Sequence, residues 1–185
     1  MDDKVMVGDY IGTIEEFMPG NGTYSDDGKI FASKVGVKVV DPSRHTAEIK
    51  GKELPRLAID QTVFGEVVGF KTNMATVVVG KIQGQKGIID ERAFVYISNV
   101  SDSYVDRIED FFSIGDIVKA RVIRMESGMV DLSTKGQNGV VKAFCKSCRH
   151  PLVVSQKHND KLECTFCSRI EKRKISPDFG KVSVF

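Results

Sequence analysis

The chain has no tryptophan and only 8% aromatic residues in 185, against 41% hydrophobic residues overall. Few large rings mean modest cores, which favours small β-barrels and modules held by a staple. No stretch approaches the length of apolar residues needed for a membrane-spanning helix, so a membrane partner is not expected. A basic start followed by an apolar run is also missing: the first thirty residues carry Asp2, Asp3, Asp9, Glu15 and Glu16, the opposite of a secretory signal. A reducing compartment follows, and a cytoplasmic location is the expectation. The catalytic signatures are missing too. There is no Walker sequence, Ser-His-Asp signal or Gly-x-Ser-x-Gly elbow, and no His-x-Glu element of the kind a zinc deaminase needs. Asp102, Asp106, Glu109 and Asp110 cluster in one polar connection, where they are expected to solvate a short helix. Glu15 and Glu16 are adjacent, and neighbouring strand residues point to opposite faces. No catalytic residue is expected, and the protein reads as a non-enzyme.

Cysteine is scarce but placed with purpose. The four cysteines form two Cys-x-x-Cys pairs, Cys145 with Cys148 and Cys164 with Cys167, separated by 15 residues. Two residues between thiolates let a tight turn aim both sulfurs at one ion, and a spacer of this length is a hairpin that brings the second turn back. The expected cofactor is therefore one Zn²⁺ in a tetrahedral all-sulfur site, structural because no coordination position is left for water. Two disulfides or a redox Cys-x-x-Cys are the competing readings, which the doubled spacing disfavours. His150 and His158 lie within the hairpin as substitute ligands. Phe144 and Phe166, each near a ligand cysteine, are expected to pack around the metal.

Net charge is polarised along the chain. Residues 1–60 carry 8 basic and 11 acidic groups, residues 61–139 carry 9 and 10, and residues 140–185 carry 10 and 4. The segments run from −3 through −1 to +6, so different parts should meet different partners.

The fold class is mainly β, with three modules expected: 1–58, 59–137 and 138–185. In the first, Val5–Val7, Tyr10–Phe17, Lys29–Val40 and Thr46–Ile49 read as strands, with reversals at Pro19–Gly22 and Ser25–Gly28. A small β-barrel or sandwich is the economical form, and Gly36 marks a bulge or a close approach of backbones. The second module has the cadence of a five-stranded OB-type barrel: Val63–Phe70, Met74–Val79, Gly87–Ile89, Ile117–Met125 and Met129–Leu132. Tyr104, Ile108, Phe111 and Phe112 are expected to form a short helix over its open end. Thr134–Gly139 reads as a flexible polar linker. Val140–Phe144 then begins a zinc ribbon, with Pro151–Ser155 and Lys161–Cys164 as its further strands. On this reading a chelator unfolds residues 140–185 and leaves the barrels folded. The run Arg169–Lys174 is either a contact surface or the charged outer face of the ribbon.

These pieces resemble a known assembly. Gly65-Glu66-Val67, Ala93–Ser98, Phe112-x-x-Gly115-Asp116-x-Val118-Lys119-Ala120-x-Val122 and Asp131–Lys135 are similar to the motifs of the S1 RNA-binding domain, an OB-fold. Val7-Gly8-Asp9, Gly12, Glu15-Glu16-Phe17, Pro19-Gly20, Gly22-Thr23-Tyr24 and Gly28-x-Ile30 resemble the N-terminal domain of exosome cap subunits. The order of β-domain, S1 domain and zinc ribbon resembles the Csl-type cap proteins of the exosome, in an archaeal form that keeps all four cysteines. The resemblance implies a non-catalytic role above the entry pore of a ring of RNase PH-like subunits that degrades RNA from its 3′ end. The N-terminal domain would dock on the ring, with Glu15, Glu16, Phe17, Pro19 and Tyr24 as candidates. Other cap subunits would be neighbours, and the ribbon would recruit a primase-like protein.

S1 domains bind single strands through stacked aromatics and basic phosphate contacts. Here Asn73 and Thr76 occupy the second-strand positions that are commonly aromatic, and Tyr96 takes the common histidine position. Tyr96 remains for stacking, with Lys71, Lys81, Lys86, Arg92, Arg121 and Arg124 for phosphates. Weak RNA binding by the isolated chain is expected. An RNA polymerase stalk or elongation-type factor, and a pure protein scaffold, are the alternatives.

Overall fold

The computed structural model describes residues 4–52, 55–156 and 161–182. They fall into two compact units, residues 1–54 and 55–185. No helix among the described residues is long and apolar enough to cross a membrane.

The first unit contains seven short strands: β1 (Lys4–Val5), β2 (Tyr10–Thr13), β3 (Met18–Pro19), β4 (Thr23–Asp26), β5 (Lys29–Ala32), β6 (Gly36–Asp41) and β7 (Thr46–Lys50). They form two sheets, ordered β1-β6-β7-β3 and β2-β5-β4. A small core of Ile11, Ile30, Ala32, Ala47 and Ile49 is shared between them. Alternation on β5 explains it: Ile30 and Ala32 are fully buried, which turns Phe31 to the other face. Asp27 and Gly28, both at positive φ (43° and 73°), close the β4–β5 hairpin, as a two-residue primed turn requires.

Three expected strands differ here: Val5–Val7 is replaced by Lys4–Val5, and two longer ones are cut short. Lys29–Val40 divides at a bend over residues 33–35, because β5 and β6 belong to different sheets. Gly36 sits where a Cβ would lie 2.4 Å from the Lys50 carbonyl oxygen, so the close approach requires glycine. The strand expected over Tyr10–Phe17 ends at Thr13, where the Glu16 and Phe17 N–H groups both donate to the Thr13 carbonyl at 3.1 and 3.0 Å. Glu15 and Glu16 therefore lie on a turn.

The second unit is built on β8 (Thr62–Lys71), β9 (Met74–Ile82), β10 (Glu91–Tyr96), β11 (Ile117–Glu126) and β12 (Met129–Ser133). Pairing runs β12-β10-β9-β8-β11 and returns to β12, which closes a five-stranded barrel. All neighbours are antiparallel except β10 and β12. Val63, Val67, Val77, Val79, Val95, Val122 and Leu132 fill the interior, a β-branched packing that needs no tryptophan. The third strand is Glu91–Tyr96 rather than the expected Gly87–Ile89. Ile88 is 79% exposed, whereas Ala93 and Val95 alternate into the core. The expected capping helix reduces to a single 3-10 turn, Ile108–Asp110. Ile108 and Phe112 are buried beneath it, while Tyr104 is 89% exposed and covers nothing.

The remaining strands are β13 (Gly139–Lys142), β14 (Leu152–Val154), β15 (Lys161–Cys164) and β16 (Ile170–Lys172). β14, β15 and β16 form the ribbon sheet, but β13 pairs with β11 as a sixth member of the barrel sheet. Ser133 lies opposite Arg121 and Gly139 opposite Lys119, so β13 continues the line of β12 along one edge of β11. The expected linker is thus a tight turn. The Thr134 N–H donates to Asn99 O at 2.9 Å, its hydroxyl donates to Val100 O at 2.9 Å, and the residue is fully buried. One hydrophobic cluster holds the barrel valines together with Val140, Ala143, Leu152 and Leu162. The boundary expected between 137 and 138 runs through that cluster.

Candidate metal centre and nucleic-acid interface

Each cysteine pair sits on a knuckle of the same design. In the first, the Cys145 N–H donates to His150 O and the Arg149 N–H donates to Cys145 O; in the second, the Cys164 N–H donates to Arg169 O and the Ser168 N–H to Cys164 O, all at 2.9–3.0 Å. Arg149 and Ser168, the fifth residue of each knuckle, both take positive φ (60° and 55°). Backbone N–H groups also reach the first sulfur of each pair, from Ser147 at 3.4 Å and from Cys167 at 3.5 Å.

The knuckles bring all four sulfurs within 4.8 Å of one another. The separations are 3.6 Å for Cys145–Cys167, 3.3 Å for Cys148–Cys164 and 3.6 Å for Cys148–Cys167. A tetrahedron with metal–sulfur bonds of about 2.3 Å has edges of about 3.8 Å, whereas a disulfide is about 2.0 Å long. No cysteine is disulfide-bonded. The donor set fits a thiophilic ion such as zinc. The Cys167 N–H helps hold the Cys164 thiol down to about 6. Cys148 is pushed up to about 12 by burial and neighbouring thiols, against the pull of the His150 N–H. A divalent cation would be held by all four as thiolates. His150 is not turned to the sulfurs: its Nδ1 lies 3.2 Å from Cys148 O. His158 lies outside the described residues.

Beside the cysteine cluster, Arg173 joins the ribbon to the barrel. Its Nε donates to Asp116 Oδ2 at 2.6 Å and a terminal nitrogen donates to Glu171 Oε2 at 2.7 Å. Glu171 in turn accepts the Lys146 N–H inside the first knuckle at 2.9 Å. Asp116 accepts the N–H of Ser113 at 2.8 Å and that of Phe144 at 3.4 Å. All three charged side chains are buried. Burial pushes the Asp116 carboxyl above its ordinary value, against the guanidinium. At Glu171 burial is outweighed by the Lys146 N–H and Arg173, which hold it low. The basic run Arg169–Lys174 is therefore not one outer face: Glu171 and Arg173 point inward, and Lys172 lies 5.1 Å from the centre of the Phe111 ring.

The RNA candidates spread over the barrel. Tyr96 and Arg124 come together in an open depression of about 450 Å³ with Ser98, Asn99, Ile123 and Asp131. Lys71 and Tyr96 share that end, since both pair with Met74. Lys81, opposite Phe64, lies toward the other end of β9, and Lys86 is exposed just beyond the turn that follows it. Arg92 is exposed in mid-β10, opposite Val78. Arg121 lies 3.7 Å from Asp60. Arg124 is engaged: its Nε and a terminal nitrogen reach Asp131 Oδ2 at 2.8 Å and 2.6 Å. Asp131 was not foreseen as its partner, although cross-strand pairing of Arg124 with Asp131 follows once the β11–β12 hairpin is drawn.

In the first unit, Glu15 and Glu16 are exposed on their turn, Pro19 is exposed on β3, and Phe17 is half-buried against the core. Tyr24 is 45% exposed, with its ring 5.7 Å from that of Phe31.

Residues 5–41 match the family described as the exosome complex exonuclease RRP4 N-terminal region. Over 180 residues the chain is 35% identical to the exosome complex component Csl4 of Archaeoglobus fulgidus, an alignment covering 96% of this chain and 97% of that protein. The chain belongs to the Csl4 family of exosome components. Among solved structures, this Csl4-family chain is 28% identical to the intact alpha subunit of aIF2 from Pyrococcus abyssi, with a TM-score of 0.37 over 46% of this chain and 30% of that one. It is also 28% identical to a chain of the a/eIF2alpha-aDim2p-rRNA complex from Pyrococcus horikoshii, with a TM-score of 0.35 over 45% of this chain and 46% of that one. In both cases the match spans less than half of the solved chain.

Proposed function

We propose that the protein is a non-catalytic, RNA-binding cap subunit of the exosome. It sits over the entry pore of a ring of RNase PH-like subunits, beside other cap subunits, and helps deliver single-stranded RNA for 3′-to-5′ degradation or processing. The observation that carries this reading is 35% identity to an exosome component over 96% of the chain. The work divides by segment: 1–58 docks on the ring through Glu15, Glu16, Phe17, Pro19 and Tyr24, 59–137 faces RNA, and 138–185 meets a further protein such as a primase-like partner. One structural Zn²⁺ on Cys145, Cys148, Cys164 and Cys167 holds the ribbon, a role supported by the spacing of the four sulfurs. The compartment is the cytoplasm.

On the barrel, Tyr96 offers a stacking ring in the depression it lines, and Lys71, Lys81, Lys86, Arg92 and Arg121 offer phosphate contacts. Arg124, tied to Asp131, contributes little net charge. RNA binding by the free chain is weak, and several such sites around one pore act at effective concentrations of order millimolar. Purification of the tagged protein from its native extract with nuclease, followed by mass spectrometry, tests the assignment. Recovery of RNase PH-like subunits is expected; recovery of RNA polymerase subunits, or of no ring, overturns it.

The scaffold reading is favoured by one observation, the pairing of Arg124 with Asp131, in a barrel that already has Asn73 and Thr76 where rings are common. Crosslinking to RNA within the assembled complex separates the two. Replacement of Tyr96, Lys71 and Lys81 abolishes the crosslink if the barrel reads RNA, and association with the ring persists either way.

A further inference from the structure

Phe166 does not pack inward as the sequence suggested. It lies between the two cysteines of the second knuckle and is 70% exposed. Its ring lies parallel to that of His150 on the first knuckle, with centroids 4.3 Å apart and planes within 7°. His150 is exposed as well. A large ring left in water is unfavourable unless something covers it. Stacking accounts for one face of Phe166 and leaves the other open. Both rings ride on knuckles whose backbones are fixed by hydrogen bonds to sulfur and carbonyl groups, so the platform exists before any ligand arrives.

The surroundings are basic. Arg149 directly precedes His150, Arg169 follows Phe166 by three positions on the second knuckle, and both are exposed. Arg149 spends one donor on Ile114 O at 3.0 Å, and the Arg169 guanidinium has no partner among the described residues. Residues 140–185 hold 10 basic and 4 acidic groups, and two of the acids are already matched, Glu171 by Arg173 and Asp178 by Lys119. A parallel two-ring pile with one open face, carried on knuckles with an exposed arginine each, is the combination that sequence-tolerant single-strand binders use, where aromatic faces take bases and a basic surface tracks phosphates.

We infer that the His150–Phe166 stack is a second contact for single-stranded RNA, on which one unstacked nucleobase continues the pile over the open face of Phe166 while Arg169 meets a phosphate. This contact is separate from the barrel depression around Tyr96 and goes beyond the role proposed above for the ribbon.

The chain's lack of tryptophan supplies the test. In the zinc-loaded full-length protein, Phe166→Trp places a single indole at the platform, and titration with short oligoadenylate and oligouridylate is expected to quench its emission. Phe166→Ala is expected to weaken binding of the same labelled oligonucleotides roughly 5- to 100-fold, in the wild-type and the Tyr96→Ala background alike. Arg169→Ala is expected to flatten the dependence of log K on log salt by about 0.7. Phe166→Leu keeps the apolar bulk and guards against misfolding: it must retain one zinc per chain and still lose affinity. Unchanged indole emission at saturating RNA, or unchanged affinity of Phe166→Leu, overturns the inference. Quenching only by a protein component of the complex overturns it in favour of a protein contact. Absence of RNA binding by the wild-type chain overturns the inference and leaves the barrel reading to crosslinking within the assembled complex, which distinguishes the two failures.

Discussion

Stripping the metal with a chelator is expected to loosen the barrel as well as the ribbon. Structural zinc contributes about 10–16 kcal/mol to folding of a small ribbon, so the ribbon unfolds without it. Its loss releases β13 from β11 and exposes Val140 and Val141, which are 0% and 1% exposed in the intact unit. Each buried valine is worth about 1.5–3 kcal/mol, so β13 alone contributes about 3–6 kcal/mol to a unit whose total stability is on the order of 5–15 kcal/mol. A drop of that size lowers the barrel's melting temperature by roughly 10–30 °C. Hydrogen exchange of the β8–β9 hairpin, followed by mass spectrometry with and without chelator, reads the effect directly. Protection there is expected to fall by at least two orders of magnitude. If these amides keep their protection to within about fivefold, a change of about 1 kcal/mol, while the ribbon exchanges freely, then β13 does not support the barrel and the modules are independent.

Arg173→Met leaves Asp116 and Glu171 buried without their cation and is expected to cost about 3–5 kcal/mol in urea unfolding. The Asp116→Asn/Arg173→Met double variant should cost less than the sum of the singles, and additivity would argue against a shared network. Gly139→Ala must place a side chain at φ 152° with its Cβ 2.4 Å from Lys174 O; a loss of about 2–4 kcal/mol is expected, with Gly128→Ala, in open space, costing less. Asp131→Asn with Glu126→Gln removes both carboxylates paired with the Arg124 guanidinium, so RNA binding should gain salt dependence, with the slope steeper by about 0.7; an unchanged slope would mean that Arg124 does not face the nucleic acid.

Local chemistry made parts of the fold legible and long-range contacts hid the rest. The four cysteines could be read because two residues between thiolates fix a turn whatever surrounds it, and the sulfurs do converge. The Asp27–Gly28 turn and the close approach at Gly36 were legible for the same reason. Thr134–Gly139 misled because its polarity resembles a linker, while the hydrogen bonds that bury Thr134 come from Asn99 and Val100, more than thirty positions away. Arg173 was invisible within a basic run, since only the folded unit shows that Asp116 waits for it. The third strand was misplaced because Gly87–Ile89 is apolar, yet Ile89 merely returns an N–H to Gly80 O at 3.0 Å before β10 begins. Phe166 was read as packing because most phenylalanines beside buried cysteines pack, and nothing in the sequence reveals that His150 meets it from the other knuckle.

The ion pair between Asp116 and Arg173 spans 57 positions, and this sets a timetable for synthesis. A ribosome adding about 5–20 residues per second needs roughly 3–11 s to supply the arginine after the aspartate. Throughout that interval the barrel carries a carboxylate destined for its interior with no cation to meet it, and the edge of β11 that later receives Gly139–Lys142 stays open. The unit therefore completes its folding only after nearly the whole of it has been made. Closure of the two knuckles on each other, which waits for Cys164 and Cys167, is then a late event of maturation, one that reaches a nascent barrel still short of its last partner.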